Sequence, residues 1–195
     1  MLKIGLTGGI GSGKTTIAAI FETIGIPVYY ADDAAKRLMN NNASLRDSIL
    51  RHFGEASYRN GELDRKYLAG IVFNNKEKLE LLNSLTHPVT ISDAAEWMAR
   101  QDAPYAIKEA ALLFESGATE NLDKVIGVYA PEPIRVQRVM ERDGLPATEI
   151  MKRISRQMDE ETKMKRCDFV ITNNEQILVI PQVLELHAKL IKMKG

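Results

Sequence analysis

The sequence is poor in the residues that announce several whole classes of protein. It holds a single cysteine, Cys167, so no internal disulfide can form and a reducing compartment is the expected setting. Its three histidines, His52, His87 and His187, lie far apart in the chain and match no metal-ligand spacing. No apolar run approaches the ~20 residues that cross a bilayer, and the apolar start at residues 2–6 is too short for the core of a secretion signal. An excess of one charge is missing too. Lys and Arg number 26 against 26 Asp and Glu, which excludes a generic polyanion-coating protein but leaves room for a local basic site. Internal repeats and low-complexity tracts are absent. These absences point to a cytoplasmic protein that binds neither nucleic acid nor membrane; a monomer or weak homo-oligomer is expected.

What is present is ordinary for a globular protein. With 195 residues, 45% of them hydrophobic, the chain can build one α/β domain with a sizeable core and an inserted subdomain. Short apolar or β-branched runs read as strands buried on both faces: "KIGLT" (3–7), "PVYY" (27–30), "YAIKEA" (105–110), "KVIGVYA" (124–130) and "DFVIT" (168–172). Helical patterns separate them, so the fold expected is α/β, a parallel sheet flanked by helices. The first helix runs from Lys14 to about Thr23, stopped by Gly25 and Pro27.

The stretch from Ala34 to Gln101 reads differently. It shows no strand, and Leu45, Ile49, Leu50 and Phe53, then Leu68, Ile71 and Val72, then Leu79, Leu82 and Leu85 recur at helical spacing. Asp64 is placed to cap the middle helix. This length far exceeds a crossover, so 34–101 is expected to be a helical insertion near one edge of the sheet. Residues 133–166 are again helical and carry nine basic side chains against six acids, in two arms broken at Gly144 and Pro146. They read as a lid. Residues 1–33, 102–132 and 167–195 remain as the core, ending in an amphipathic helix from Glu175 to Lys192.

The segment "LTGGIGSGKTT" (6–16) carries the chemistry. Gly8 followed by Gly13-Lys14-Thr15 fits G-x-x-x-x-G-K-[ST], the phosphate-binding P-loop. Glycines let successive N–H groups point into one concavity, and the helix that follows presents its positive end to the same anion. Lys14 then adds a full charge on the β- and γ-phosphates, and the Thr15 hydroxyl is placed to ligate Mg²⁺. The competing reading is a glycine turn that merely packs strand on helix. At average composition the pattern arises by chance in under about one chain of this length in a hundred. Here it also follows a predicted strand and opens a predicted helix.

P-loop proteins differ in what they do with the γ-phosphate. A guanine-reading N-K-x-D is absent, since "NKEK" at 75–78 lacks the aspartate, and so is a D-x-x-G switch. A motor's strand ending in Asp is absent as well; "AIKEAALLFE" offers only Glu109 and Glu115. The first acids after the loop are Asp32 and Asp33, expected to close the second strand, where strand ends face the ligand crevice. Asp32 there serves either as general base toward a hydroxyl acceptor or as the cap of a helix starting at Ala34. Arg138 and Arg142 share a helix face and either neutralise charge on a transferred phosphoryl group or form a solvated surface.

These strings, with "LTHP" (85–88), "EAALLFESG" (109–117), "QRVMERD" (137–143) and "DFVITNN" (168–174), resemble the dephospho-CoA kinase family over nearly the whole chain. The resemblance implies a P-loop kinase fold with a CoA-side helical domain and a lid. It also implies ATP-dependent phosphorylation of the ribose 3′-hydroxyl of dephospho-CoA, with Mg²⁺. By position, Gly8, Gly9, Gly11, Ser12, Gly13, Lys14, Thr15 and Thr16 form the ATP loop. Asp32 falls on the catalytic aspartate, Arg138 and Arg142 on phosphate-side arginines, and Asn173 near the adenine-contacting turn. His87 either touches substrate or holds a His-Pro turn. The family's Asp-Ala-Asp is Tyr30-Ala31-Asp32 here, with Asp33 added, and its N-x-G after the last strand is Asn173-Asn174-Glu175. A kinase of another nucleotide or small hydroxyl acceptor, or a nucleotide-dependent switch without acceptor chemistry, is the alternative.

Overall fold

The computed structural model describes residues 1–73 and 75–193. Asn74, within the expected insertion, and Lys194 and Gly195, at the end of the expected core, lie outside the described residues. The chain forms two compact units, Met1–Tyr30 with Trp97–Gly195, and Ala31–Glu96.

The first unit begins with β1 (Leu2–Thr7), buried from Ile4 onward, and α1 (Lys14–Thr23) after the glycine-rich turn. Gly25, at φ 86°, ends the helix run, and β2 (Val28–Tyr30) follows. The second unit holds α2 (Ala31–Asn41), α3 (Ala43–Phe53), a 3-10 turn at Glu55–Ser57, β3 (Tyr58–Arg59), β4 (Glu62–Leu63), α4 (Arg65–Phe73) and most of α5 (Lys76–Ala99). Its core gathers Leu38, Leu45, Ile49, Phe53, Leu63 and Leu68. Asn42 caps α3 by accepting the Leu45 N–H at 2.9 Å, and Asp64 caps α4 by accepting that of Tyr67 at 2.9 Å.

Two sequence expectations fail in this unit. The antiparallel pair β3–β4 is a small hairpin where no strand was expected. Its signal is Asn60-Gly61, both at positive φ (52° and 86°), the pair a two-residue type I′ turn needs. The expected His-Pro turn does not form either, because α5 runs straight through Pro88. Pro88 has no N–H to offer the carbonyl of Ser84, four residues back. Thr86, Thr90, Ala94 and Met98, four apart, nevertheless make one continuous buried stripe, and that burial keeps the helix whole.

The chain returns to the first unit as β5 (Tyr105–Glu109), β6 (Lys124–Tyr129), α6 (Glu132–Asp143), α7 (Ala147–Ile154), α8 (Glu160–Lys165), β7 (Phe169–Thr172) and α9 (Val179–Lys192). The five strands pair in the order β2-β5-β1-β6-β7, all parallel. One face of the sheet, with Ile4, Leu6, Ile107, Ile126, Val128 and Ile171, packs with Ile17 and Phe21 of α1 and Val183, Leu186 and Leu190 of α9. The stretch 133–166 makes three helices rather than two arms, the first ended by Gly144 at φ 66°. Helix α9 starts four residues later than expected. Asn174 accepts the N–H groups of Gln176 and Ile177, and Glu175 sits at φ 67°, so this stretch is a turn. Among the described residues no helix is long and apolar enough to cross a membrane.

Candidate active site

The central strand β1 delivers the loop to the carboxyl edge of the sheet. Its register sets Leu6 opposite Glu109, so the last residue of β5 lies beside the start of the loop. Glu109 is 3% exposed, an unusual place for a carboxylate unless it is paired. Its Oε1 stands 3.5 Å from Nζ of Lys14, the first residue of α1. The loop's lysine is thus held from behind by a buried acid. Sequence reasoning had counted Glu109 only as the wrong acid for a motor.

Gly13 is the N-cap residue of α1, at φ 88° with no side-chain cap. The first N–H groups of the helix, those of Lys14, Thr15 and Thr16, have no partner within the helix and are open to an anion. Gly13 needs glycine for its positive φ, and a Cβ there would also push the Asn173 side-chain amide away from Ser12. Thr15 and Thr16 are exposed in that first turn, and Gly8, Gly9 and Ser12 are buried behind it.

The structure draws several predicted residues together here. Asn173 follows β7, donates from Nδ2 to the Ser12 carbonyl at 2.8 Å and gives its own N–H to Tyr129. Arg138 of α6 reaches the same corner and donates to the Asn173 side chain and carbonyl (3.4 and 3.3 Å) and to Glu175 at 3.1 Å. Arg142, one turn on, does not join them. It is exposed and paired with its neighbour Asp143 at 2.7 Å.

Asp32 does not close the second strand. β2 ends at Tyr30 and α2 starts at Ala31 rather than Ala34, so Asp32 and Asp33 both sit in the first helical turn and neither is a cap. The positive helix end favours acids at those positions. Asp33 pairs with Lys36 at 2.6 Å, and Asp32 is exposed. His87 is half-buried in the middle of α5.

Sequence reasoning missed the residues that back the loop from the far side. Arg135 is 3% exposed and pairs with Glu160 at 3.4 Å. Burial pushes the Glu160 carboxyl above its ordinary range, with Arg135 and the Gly9 N–H pulling the other way. Lys163 is fully buried, 3.1 Å from both Glu115 Oε1 and the Ala111 carbonyl. Burial alone would raise the Glu115 carboxyl, but the Met158 N–H and Lys163 hold it below the usual range. Nothing in the sequence separated Arg135 or Lys163 from their seven basic neighbours. Among the described residues no group of three or more His, Cys, Asp or Glu is arranged to hold a metal ion by itself.

A parallel sheet with a glycine loop on its central strand, a helix N-terminus open to phosphate and a lysine set on a buried acid define a P-loop kinase. The dephospho-CoA kinase family model matches residues 2–178. A dephospho-CoA kinase of Bacteroides fragilis is 36% identical over 96% of this chain and 92% of that protein. A crystal structure from Thermus thermophilus superposes with a TM-score of 0.85 at 36% identity, covering 96% of each chain. The dephospho-CoA kinase structure from Campylobacter jejuni gives 0.72 at 32% identity, over 99% of this chain and 98% of that one. The chain belongs to the dephospho-CoA kinase family and is an ATP-dependent kinase acting on a hydroxyl group.

Proposed function

We propose that the protein transfers the γ-phosphoryl group of ATP to the ribose 3′-hydroxyl of dephospho-CoA, giving CoA and ADP, the last step of CoA biosynthesis. The observation that carries the reading is Lys14 held on Glu109 at the open end of the loop, in a chain of this family. The loop and the first turn of α1 take the β- and γ-phosphates, and Lys14 neutralises charge that grows as the phosphoryl group leaves. Asp32 is the general base. It accepts the 3′-hydroxyl proton as that oxygen attacks the γ-phosphorus, and the bond to the β–γ bridging oxygen breaks to release ADP.

Arg138 keeps the loop's Asn173 corner in place and, with Arg142, faces the phosphates; Arg142 exchanges Asp143 for phosphate oxygens when it does so. Asn173 borders the adenine, and His87 belongs to the acceptor side. Residues 133–166 act as the lid over the triphosphate, which excludes water from the transfer. The site also suits Mg²⁺, for the exposed Thr15 hydroxyl, a hard oxygen donor, stands in the first turn of α1 beside the helix end that takes the phosphates. Thr15 would hold the ion together with the phosphate oxygens, and the ion would supply charge neutralisation. The protein works in the cytoplasm on two small substrates, as a monomer or weak homo-oligomer.

The test is ATP turnover with dephospho-CoA, AMP and shikimate as acceptors, followed by product mass and phosphorus NMR. Dephospho-CoA should gain one phosphoryl group on the 3′ oxygen. Preference for AMP or shikimate, or ATP hydrolysis indifferent to acceptor, would overturn the assignment.

A further inference from the structure

The glycine loop is gripped from outside by residues that belong to neither the strand nor the helix it joins. Ile10 gives its N–H to Oε1 of Gln157 at 2.9 Å. The Arg135 guanidinium and the Glu160 carboxylate occupy the space a side chain on Gly9 would need. The Arg135 backbone closes against Gly11, which sits at φ 80°. Gln157 and Glu160 flank the turn into α8, and Arg135 comes from α6. All three also line one cleft of about 800 Å³, whose other walls include Tyr129, Met158 and Met164.

We infer that Gln157, backed by the Arg135–Glu160 pair, is a positioning residue for the triphosphate, setting which loop amides face the phosphates. Glycine peptides rotate easily, so a bare G-x-x-x-x-G loop has many conformations in which an N–H points the wrong way. Ligand binding must then select the right one, and apparent affinity falls by the fraction of loops that are competent. Here the Ile10 N–H is committed outward, to Gln157, and the Arg135–Glu160 pair closes against Gly9. Ser12 closes the turn by giving its N–H to the Gly9 carbonyl at 3.0 Å. The amides further along the loop and in the first turn of α1 are left for the ligand. The grip holds before ATP arrives, so its loss appears in ATP affinity rather than in the transfer step.

This inference rests on the reading of the loop as the ATP site, and the experiment separates the two. Gln157→Met keeps the side chain's length and removes the acceptor. The KM for ATP should rise about tenfold, the factor expected for one lost hydrogen bond of ordinary strength. The kcat at saturating ATP and the KM for dephospho-CoA should stay within about twofold, because ATP affinity alone carries the change. Amide hydrogen exchange at Ile10 in the free protein should speed up. Gln157→Glu keeps an acceptor oxygen, so Ile10 protection should return and the ATP KM should fall back toward the parent value. Should Gln157→Met fail to fold, Gln157→Ala carries the same expectations without added bulk. An unchanged ATP KM, or an equal rise in both KM values, would overturn the inference. Lys14→Ala is the control. If it abolishes turnover while Gln157→Met leaves the ATP KM alone, only the positioning role fails. If Lys14→Ala is itself neutral, the ATP-loop reading has failed and the inference with it.

Discussion

Removing the charge of Lys14 should damage stability as well as chemistry, and the two losses should separate in a double-mutant cycle. Lys14 Nζ lies 3.5 Å from Glu109 Oε1, with side chains 15% and 4% exposed. At that distance and an effective dielectric near 20, the attraction is ~5 kcal/mol before desolvation is counted. Breaking a buried pair from one side leaves the other charge without its counter-ion, which costs about 3–5 kcal/mol in well-buried cases. Lys14 keeps some contact with water and Glu109 has other interactions, so roughly 2–4 kcal/mol is the expectation for Lys14→Met without nucleotide.

Glu109→Gln should cost less, about 1–2 kcal/mol, because the ammonium it abandons is the more exposed partner. It should also slow turnover about tenfold, since Lys14 loses the group that aims it at the phosphates. The double variant should recover about 2 kcal/mol of the summed losses, as coupled neighbours do, yet show no turnover. Urea unfolding gives the first quantity and steady-state kinetics the second. An unfolding midpoint for Lys14→Met equal to that of the parent would mean the ion pair stabilises nothing. Turnover returning in the double variant would mean that the charge of Lys14 is not what acts on the phosphates.

Asp32→Asn should lower turnover by about 10²–10⁴ while dephospho-CoA binding changes far less, whereas Asp33→Asn, which loses only an exposed pair with Lys36, should shift stability by about 0.5 kcal/mol or less. Arg138→Ala and Arg142→Ala should both cut turnover with melting temperatures near the parent's; a large fall in melting temperature with full turnover would make them structural. Glu115 is held below the usual carboxylate range, so its contribution to stability is present above pH 4.5 and is lost as pH falls through its lower folded value. Urea midpoints measured from pH 7 down to pH 3 should show that loss in the parent and not in Glu115→Gln. Burial pushes the Cys167 thiol up to about 11, so iodoacetamide should leave it unmodified at pH 8 in the folded protein, and Cys167→Ala should keep full activity.

The sheet was legible because its strands are short and apolar and most are bounded by glycine or proline; two-sided burial holds for the inner strands, while the edge strand β7 leaves Val170 exposed. The loop was legible because its glycines and lysine are local, and one turn of chain contains them all. The errors share a cause. The hairpin at 58–63 was outvoted by its helical surroundings, although Asn60-Gly61 is as direct a turn signal as any in the chain. Pro88 was given a turn because local propensity opposes it, and a buried stripe along α5 overrode that propensity. Asp32 and Asp33 were set on a strand end, with a helix cap as the alternative, because nothing in "YYADDAAKR" marks a helix that starts as early as Ala31. Glu109 and Arg135 were illegible for another reason. Each acts through a partner 95 or 25 residues away along the chain, and pairing across a fold leaves no periodicity to read.

That last difference changes what the opening glycines mean. Read as sequence, they make room for phosphate. In the fold, the side of the loop turned away from α1 is as crowded as any core position: Gly8 would bring a Cβ within 2.6 Å of the Val128 carbonyl, and Gly13 is covered by Asn173. A loop that must pass close to protein on one face and phosphate on the other has no direction left for a side chain. The glycines are therefore under two independent demands, and the second should be measurable without any ligand. A Gly8→Ala variant would have to push β6 or Ser12 aside, which lowers stability in the free protein before ATP is ever added. If the glycines served phosphate alone, that variant would fold with parental stability and fail only in binding.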